Sequence, residues 1–199
     1  MKSVTERVYL TDFILACLAY CLFVGSDSIV KYLGSDYSIV QIIFVNSWFA
    51  LIPIVLYTQT LNGWRKLKKA NFTVHFFRAL TMALALFFGY TGFYRLPMVT
   101  MYSIVFLIPL LITIGSVLFL GEVVRWKRFT AILIGFIGAI ISINPFGTEY
   151  DNYIFLALFC PIFASASYLI VRKYGFKENL FSFLIYGKIL MLVLTGVFA

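Results

Sequence analysis

The chain has 199 residues, of which 62% are hydrophobic and 12% charged, and its mean hydropathy is +0.98. Soluble domains contain about 45–50% apolar and about 25% charged residues, and a domain of this size still exposes roughly 30% of its chain surface. This composition excludes a soluble enzyme, a disordered chain and a conventional nucleic-acid-binding domain. It predicts an all-α, polytopic helical membrane protein that is embedded in the lipid bilayer.

A membrane-spanning helix needs about 20 mostly apolar residues, and the chain has seven such segments. In chain order they are Phe13–Val30, Ile39–Tyr57, Val74–Tyr94, Pro97–Leu120, Trp126–Asn144, Tyr153–Val171 and Leu180–Ala199. No small-residue cleavage site follows the first segment, which also contains Asp27. It is therefore predicted to be a retained helix and not a signal peptide.

The net charge of +8 comes from short basic clusters between apolar runs, whereas a nucleic-acid surface needs a continuous basic face. We therefore expect no nucleic-acid partner. The cysteines, Cys17, Cys21 and Cys160, lie inside apolar runs, where free cysteine behaves as a small hydrophobe. Their spacing is neither that of a disulfide framework nor that of a metal site, and no cofactor is expected.

Basic residues are divided unequally between the two sides of the membrane. Twelve lie on the side of the N-terminus: Lys2, Arg7, Arg65, Lys66, Lys68, Lys69, Arg125, Lys127, Arg128, Arg172, Lys173 and Lys177. The loops on the opposite side contain Lys31 and Arg95. Because basic loops stay cytoplasmic, the sequence predicts a cytoplasmic N-terminus and an outward loop at Phe146–Asn152.

Small residues spaced four apart let transmembrane helices approach each other closely. Ala131, Gly135 and Ala139 form such a row on the fifth segment, and Ala85 and Gly89 form one on the third. We interpret both rows as helix-packing faces.

An internal repeat relates residues 25–46 to residues 167–188 at a constant offset. Lys31 and Tyr32 then align with Lys173 and Tyr174, and Asn46 aligns with the polar residue of the last segment, Lys188. Five segments per unit is an odd number, so the second copy must enter the membrane inverted. The sequence predicts a first five-helix unit over residues 1–147, and the first two helices of an inverted unit over residues 148–199.

Several motifs resemble the ten-helix branch of the drug/metabolite transporter superfamily, the EamA-type carriers. The matching residues are Phe76-Phe77-Arg78-Ala79, Pro97, Pro109, Phe119-Leu120-Gly121-Glu122, Gly135-Phe136-Ile137-Gly138 and Asn144-Pro145. The start of the chain, from Asp27 to Lys31-Tyr32-Leu33-Gly34, also resembles the subset similar to bacterial S-adenosylmethionine uptake carriers. The resemblance implies a bacterial inner-membrane transporter.

The chain departs from that family pattern in two respects. Such carriers often have an arginine in the second segment, where this chain has Asn46. They also run to about ten helices, so the resemblance implies that the second repeat is truncated. We then expect the chain alone not to transport, and Lys188 to face lipid without the helices that should surround it. The chain would relieve this by forming a homodimer, by tilting, or by leaving the last segment unstably inserted.

Ionisable side chains inside a membrane are costly and usually face a cavity or a partner. Asp27 is the first candidate for substrate binding, although a local ion pair with Lys31, one helical turn away, is an equal alternative. Arg78 is a candidate anchor for a substrate carboxylate, with snorkelling to the interface as its alternative. Lys188 lies deeper, where either a substrate or another helix would be its partner.

Aromatic side chains complete the candidate site, because a ring face attracts a sulfonium or amine. Tyr90 and Tyr102 are the candidates, and Asn46 is the polar candidate of the second segment. Pro109 cannot donate to the carbonyl of Val105, so a kink is expected beside Tyr102.

Two further ionisable residues are interpreted as structural. Glu122 is expected to form a salt bridge at a helix end, close to Arg125 and Lys127. His75 is placed at the membrane interface, with a proton relay as the less favoured reading.

The sequence thus favours a secondary transporter of a small polar, zwitterionic metabolite that is S-adenosylmethionine-like or amino-acid-like, working by alternating access. It contains no nucleophile–base pair or metal cluster that would support an enzyme. A non-transporting fragment, a membrane scaffold, or an exporter of a different amphiphilic metabolite remain as alternatives.

Overall fold

The computed structural model describes residues 2–60, 71–143, 152–176 and 180–197. Within these ranges the chain is built from helices and contains no strand, which confirms the all-α prediction. The helices are α1 (Lys2–Leu33), α2 (Ile39–Thr60), α3 (Phe72–Arg95), α4 (Met98–Val105), α5 (Ile108–Leu120), α6 (Trp126–Ile143), α7 (Tyr153–Ala157), α8 (Phe159–Tyr174) and α9 (Leu180–Gly196).

Five helical stretches are long and apolar enough to cross a membrane. They are Thr11–Leu33, Ile39–Gln59, Phe72–Arg95, Met98–Leu120 and Tyr153–Tyr174. Two shorter apolar stretches, Phe129–Gly138 in α6 and Ser182–Gly196 in α9, coincide with the other two predicted segments. The chain is therefore a polytopic helical membrane protein. The predicted boundary between the two repeats and the outward loop from Phe146 lie outside the described residues, apart from Asn152.

Two of the membrane-length stretches are broken, each four residues before a proline. A proline has no backbone N–H, so it cannot donate to the carbonyl four residues earlier. α4 ends at Val105 and α5 begins at Ile108, with Pro109 in its first turn, which confirms the kink expected there. The second break separates α7 from α8, because Pro161 leaves the carbonyl of Ala157 without a helical donor. Sequence analysis did not identify this second break.

α3 is the central helix of the described bundle and packs against α1, α2, α4, α7, α8 and α9. Its small residues, Ala85 and Gly89, are buried. A methyl group added at Gly89 would lie 3.1 Å from the Sγ atom of Cys160 on α8. This row of small residues is therefore a packing face, as predicted.

α6 lies at the side of the bundle and packs against α4 and α5. A methyl group added at either Gly135 or Gly138 would meet no atom within 4 Å, and Ala131 is exposed. The prediction that this row packs against another helix is therefore wrong for the helices that the structure describes, because Ala131 and Gly135 point away from them.

The Leu120-Gly121-Glu122 motif ends α5. Gly121 adopts a left-handed conformation with φ of 68°, which only glycine reaches without steric strain. Its backbone N–H donates to the Ser116 carbonyl and caps the helix. The turn brings Glu122 to within 2.6 Å of Arg172 at the end of α8.

Candidate functional site

The first polar cluster joins α1 to α4. The Tyr102 hydroxyl donates to Oδ2 of Asp27 at 2.9 Å. The Tyr102 ring packs edge-on against Phe93 of α3, with 5.1 Å between centroids, and this contact fixes its direction. The alternative ion pair between Asp27 and Lys31 is not formed, because Lys31 Nζ instead donates to the Leu96 carbonyl at 2.7 Å.

Tyr90 extends this cluster from the central helix. Its side chain is buried among Val30 of α1 and Ile43 of α2, and its hydroxyl interacts with the side chain of Ser26 and with the charge of Asp27. Asp27, Tyr90 and Tyr102 therefore lie together, and we call them the acidic cluster. Within the described part of the chain, no lysine or arginine pairs with its carboxylate.

The second polar cluster lies between α3 and α9. Arg78 and Lys188 line the same cavity, which has a volume of about 90 Å³. Nη1 of Arg78 donates to the Phe183 carbonyl at 2.7 Å, and the guanidinium lies 5.4 Å from the centre of the Phe183 ring. Lys188 is half-buried and faces Arg78, so the expectation that it faces lipid is wrong. We call Arg78 and Lys188 the cationic pair.

The acidic cluster and the cationic pair lie at different depths. Arg78 and Tyr90 are twelve residues apart on α3, which at 1.5 Å per residue corresponds to about 18 Å along the helix axis. Met82, Leu86 and Met191 line the cavity of the cationic pair and also belong to the apolar cluster around Tyr90. An apolar layer therefore separates two groups of opposite charge.

Asn46 does not join either cluster. It lines a large apolar cleft of about 780 Å³ between α1 and α2, together with Cys21, Gly25 and Gln41. The structure thus distributes the six predicted binding residues over three places instead of one.

The two ionisable residues interpreted as structural both have partners on another helix. Glu122 forms the expected helix-end salt bridge, but with Arg172 of α8 and not with its neighbours in sequence. His75 is completely buried, with its ring 4.8 Å from that of Phe183 and 5.3 Å from that of Tyr186. It lies in the first turn of α3, and α9 covers its side chain.

Sequence reasoning missed the parts of these sites that come from distant helices. Phe183 supplies both a carbonyl and a ring to Arg78, yet a phenylalanine in an apolar segment gives no signal of this role. Gly187 gave a usable signal, because a glycine within a transmembrane helix often marks a close approach of another helix. A methyl group there would lie 2.5 Å from Nη1 of Arg78.

The structure is that of a polytopic helical membrane protein with half-buried charged side chains inside its membrane-length bundle. Residues 11–144 match the EamA-like transporter family. Because this match covers more than half of the chain, the chain belongs to that family, whose members are transporters and not enzymes.

Individual relatives are named as transporters of small molecules. The chain is 29% identical over 196 residues to an S-adenosylmethionine uptake transporter of Rickettsia felis, covering 95% of this chain and 64% of that protein. It is 30% identical over 178 residues to the protein of the same name from Rickettsia bellii, covering 86% and 58%. A riboflavin transporter of Vibrio cholerae is 25% identical over 172 residues, covering 85% and 57%. No solved structure matches the chain.

Proposed function

We propose that this chain works in a secondary transporter that moves a small polar, zwitterionic metabolite across the bacterial inner membrane, with its N-terminus in the cytoplasm. The substrate class is S-adenosylmethionine-like or amino-acid-like. Movement is by alternating access, in which two inverted repeats rock about sites between them. The chain spans 64% of the length of its Rickettsia felis relative, so the proposal concerns the activity of the complete carrier.

The observation that carries this proposal is the acidic cluster. Asp27 lies within a membrane-length helix and is held by a tyrosine hydroxyl instead of a basic side chain. A hydrogen bond to a charged group stabilises by about 1.5–3 kcal/mol, which does not neutralise a carboxylate in the membrane. A positively charged group of a substrate would neutralise it, and a tyrosine ring would add about 0.5–2 kcal/mol.

The proposal is tested by uptake into proteoliposomes. We would compare this chain with a chimera that continues into the remaining segment of the Rickettsia felis relative. We expect the chimera to accumulate radiolabelled S-adenosylmethionine or an amino acid in a saturable manner, and the chain alone to show no uptake. Failure of the chimera with every such zwitterion, or export from loaded vesicles without uptake, would contradict the proposal.

The role of the acidic cluster is tested by competition with a matched pair of ligands. S-adenosylmethionine carries a sulfonium charge that S-adenosylhomocysteine lacks, so we expect the first to compete more strongly. In the chimera, Asp27→Asn should abolish uptake without preventing membrane insertion. Ser28→Ala is the control, because Ser28 donates only to the Val24 carbonyl of its own helix and should leave uptake unchanged. Uptake at the unsubstituted rate in Asp27→Asn would refute this role.

A further inference from the structure

The cavity between α3 and α9 brings two positively charged side chains together without a negative one. Arg78 and Lys188 both line it, and the residues that complete its wall are apolar or glycine. Asp and Glu are absent from that wall. The cavity therefore carries a local excess of positive charge.

Both cations also have unused hydrogen-bonding capacity. Arg78 uses Nη1 for the Phe183 carbonyl, but its Nε atom is buried and has no acceptor. The Lys188 ammonium makes no hydrogen bond or ion pair to any residue that the structure describes, and the like charge of Arg78 repels it. A buried charged donor without an acceptor, here Arg78 Nε, is unfavourable, and the half-buried Lys188 ammonium beside it is free to share an acceptor that enters the cavity.

The size of the cavity limits what that acceptor is. An engineered apolar cavity of about 150 Å³ accommodates benzene, so a cavity of about 90 Å³ holds a smaller group of a few heavy atoms. A carboxylate or a phosphate fits this size, whereas a nucleoside or a flavin ring does not. Arginine also matches the planar geometry of a carboxylate or phosphate through paired N–H donors.

We propose that Arg78 of α3 and Lys188 of α9 form a binding site for an oxyanion, a carboxylate or phosphate group, in the cavity that also contacts Ile54 of α2. The anion accepts from Arg78 and from the Lys188 ammonium, and it offsets the repulsion between them. Gly187 lets the Arg78 guanidinium approach α9 closely, since a methyl group at that position would lie 2.5 Å from Nη1 and the guanidinium would have to shift.

During transport the ligand is the carboxylate of the substrate, bound at a different step from the contact with Asp27, because about 18 Å along α3 separates the two sites; this part of the inference rests on the proposed function. The site itself does not depend on transport. An anion can therefore bind to a chain that moves nothing, and a failure of binding is distinguishable from a failure of transport.

The test is thermal unfolding of the full chain in an uncharged detergent. Sodium acetate and sodium phosphate would be compared with sodium chloride at equal ionic strength. We expect acetate or phosphate to raise Tm by about 2–4 °C relative to chloride, a shift readily measured for a chain of this size. The variants R78Q and K188L should lose this shift, and K188L should have the higher Tm in chloride because one of the two repelling cations is gone.

Arg95 supplies the matched control. It is an arginine on the same helix, lies over the rings of Tyr94 and Tyr153, and is remote from the cavity, so R95Q should keep the full acetate shift. R78K keeps the charge but not the planar geometry and should keep a reduced shift, which covers the case in which R78Q does not fold. An equal shift in unsubstituted chain, R78Q and K188L would overturn the proposal.

A second measurement uses the Lys188 amine directly. Acetate or phosphate should slow its modification by an amine-reactive reagent at least twofold, as read by mass spectrometry, and unchanged protection would overturn the site. Anionic phosphatidylglycerol and neutral phosphatidylcholine, added to the detergent, distinguish the source of the anion. Protection by phosphatidylglycerol alone assigns the site to a lipid headgroup and refutes the substrate carboxylate, whereas protection by acetate assigns it to a soluble anion.

Discussion

At the scale of single residues, the charged side chains Asp27, Lys31 and Arg78 find partners outside their own helix, whereas the hydroxyls of Ser28 and Thr113 donate to carbonyls of their own helix. Lys31 is one turn from Asp27, yet it binds the Leu96 carbonyl of the segment after α3. Asp27 in turn accepts from Tyr102. Local spacing permits an ion pair worth only a few tenths of a kcal/mol, so tertiary contacts with backbone carbonyls and hydroxyls readily replace it.

Gly187 and Gly135 give a prediction at this scale, because both are helical glycines in different surroundings. Gly187→Ala places a methyl group 2.5 Å from Nη1 of Arg78, so the guanidinium must shift, and we expect this to weaken its hydrogen bond to the Phe183 carbonyl. Gly135→Ala meets no atom within 4 Å, and it should stabilise α6 by about 0.5–1 kcal/mol, since alanine favours the helix. Thermal unfolding should show a lower Tm for the first variant and an unchanged or higher one for the second. The opposite order would contradict the close approach of Arg78 to α9.

At the scale of helices, prolines and glycines decide where each element ends, and small residues decide how closely two of them pack. Pro109 and Pro161 each break a membrane-length stretch. Gly121 ends α5 and turns the chain so that Glu122 faces Arg172 of α8. This salt bridge therefore joins the end of α5 to the end of α8 at one edge of the bundle.

The Glu122–Arg172 pair should contribute little to stability in spite of its short distance. Its side chains are 34% and 38% exposed, and exposed ion pairs contribute about 0.2–1 kcal/mol. A double-mutant cycle with Glu122→Gln and Arg172→Gln, measured by unfolding in detergent at low salt, should give a coupling energy within that range. Arg125→Gln serves as a control for the loss of one exposed charge. A coupling energy of several kcal/mol would show that the pair is effectively buried.

At the scale of the whole molecule, the apolar surface and the placement of charge are those of a membrane-embedded bundle. Long stretches of α1 expose large apolar side chains, including Phe13, Leu18 and Phe23, which a bilayer covers without cost. The charged side chains inside the bundle face cavities or partners. The large cleft between α1 and α2 leaves Asn46 apart from both charged clusters.

The orientation of the whole chain can be measured by cysteine labelling. In a background where Cys17, Cys21 and Cys160 are replaced by alanine, we expect Thr148→Cys to react with a membrane-impermeant maleimide in intact cells. Lys68→Cys should react only after the membrane is permeabilised, because its loop is strongly basic and is expected to stay in the cytoplasm. The reverse pattern would invert the proposed topology.

The sequence by itself determined the class of the protein and the approximate positions of its apolar helices. An apolar run of about 20 residues has few alternatives to a transmembrane helix, because the backbone must satisfy its own hydrogen bonds in lipid. The same local reasoning located the break at Pro109 and identified the charged residues, Asp27, Arg78 and Lys188, that need partners. The family motifs, among them Leu120-Gly121-Glu122, also led to the correct family.

Only the tertiary structure decided which of these residues meet. The apolar faces of transmembrane helices are chemically alike, so sequence periodicity does not specify which helix lies against which. The structure places α9 over α3, and this contact buries His75, brings Lys188 to Arg78 and makes the Phe183 carbonyl an acceptor. The structure also separates these cations from Asp27. Arg78 and Lys188 lie near one end of α3, whereas Asp27 lies beside Tyr90, about 18 Å further along that helix.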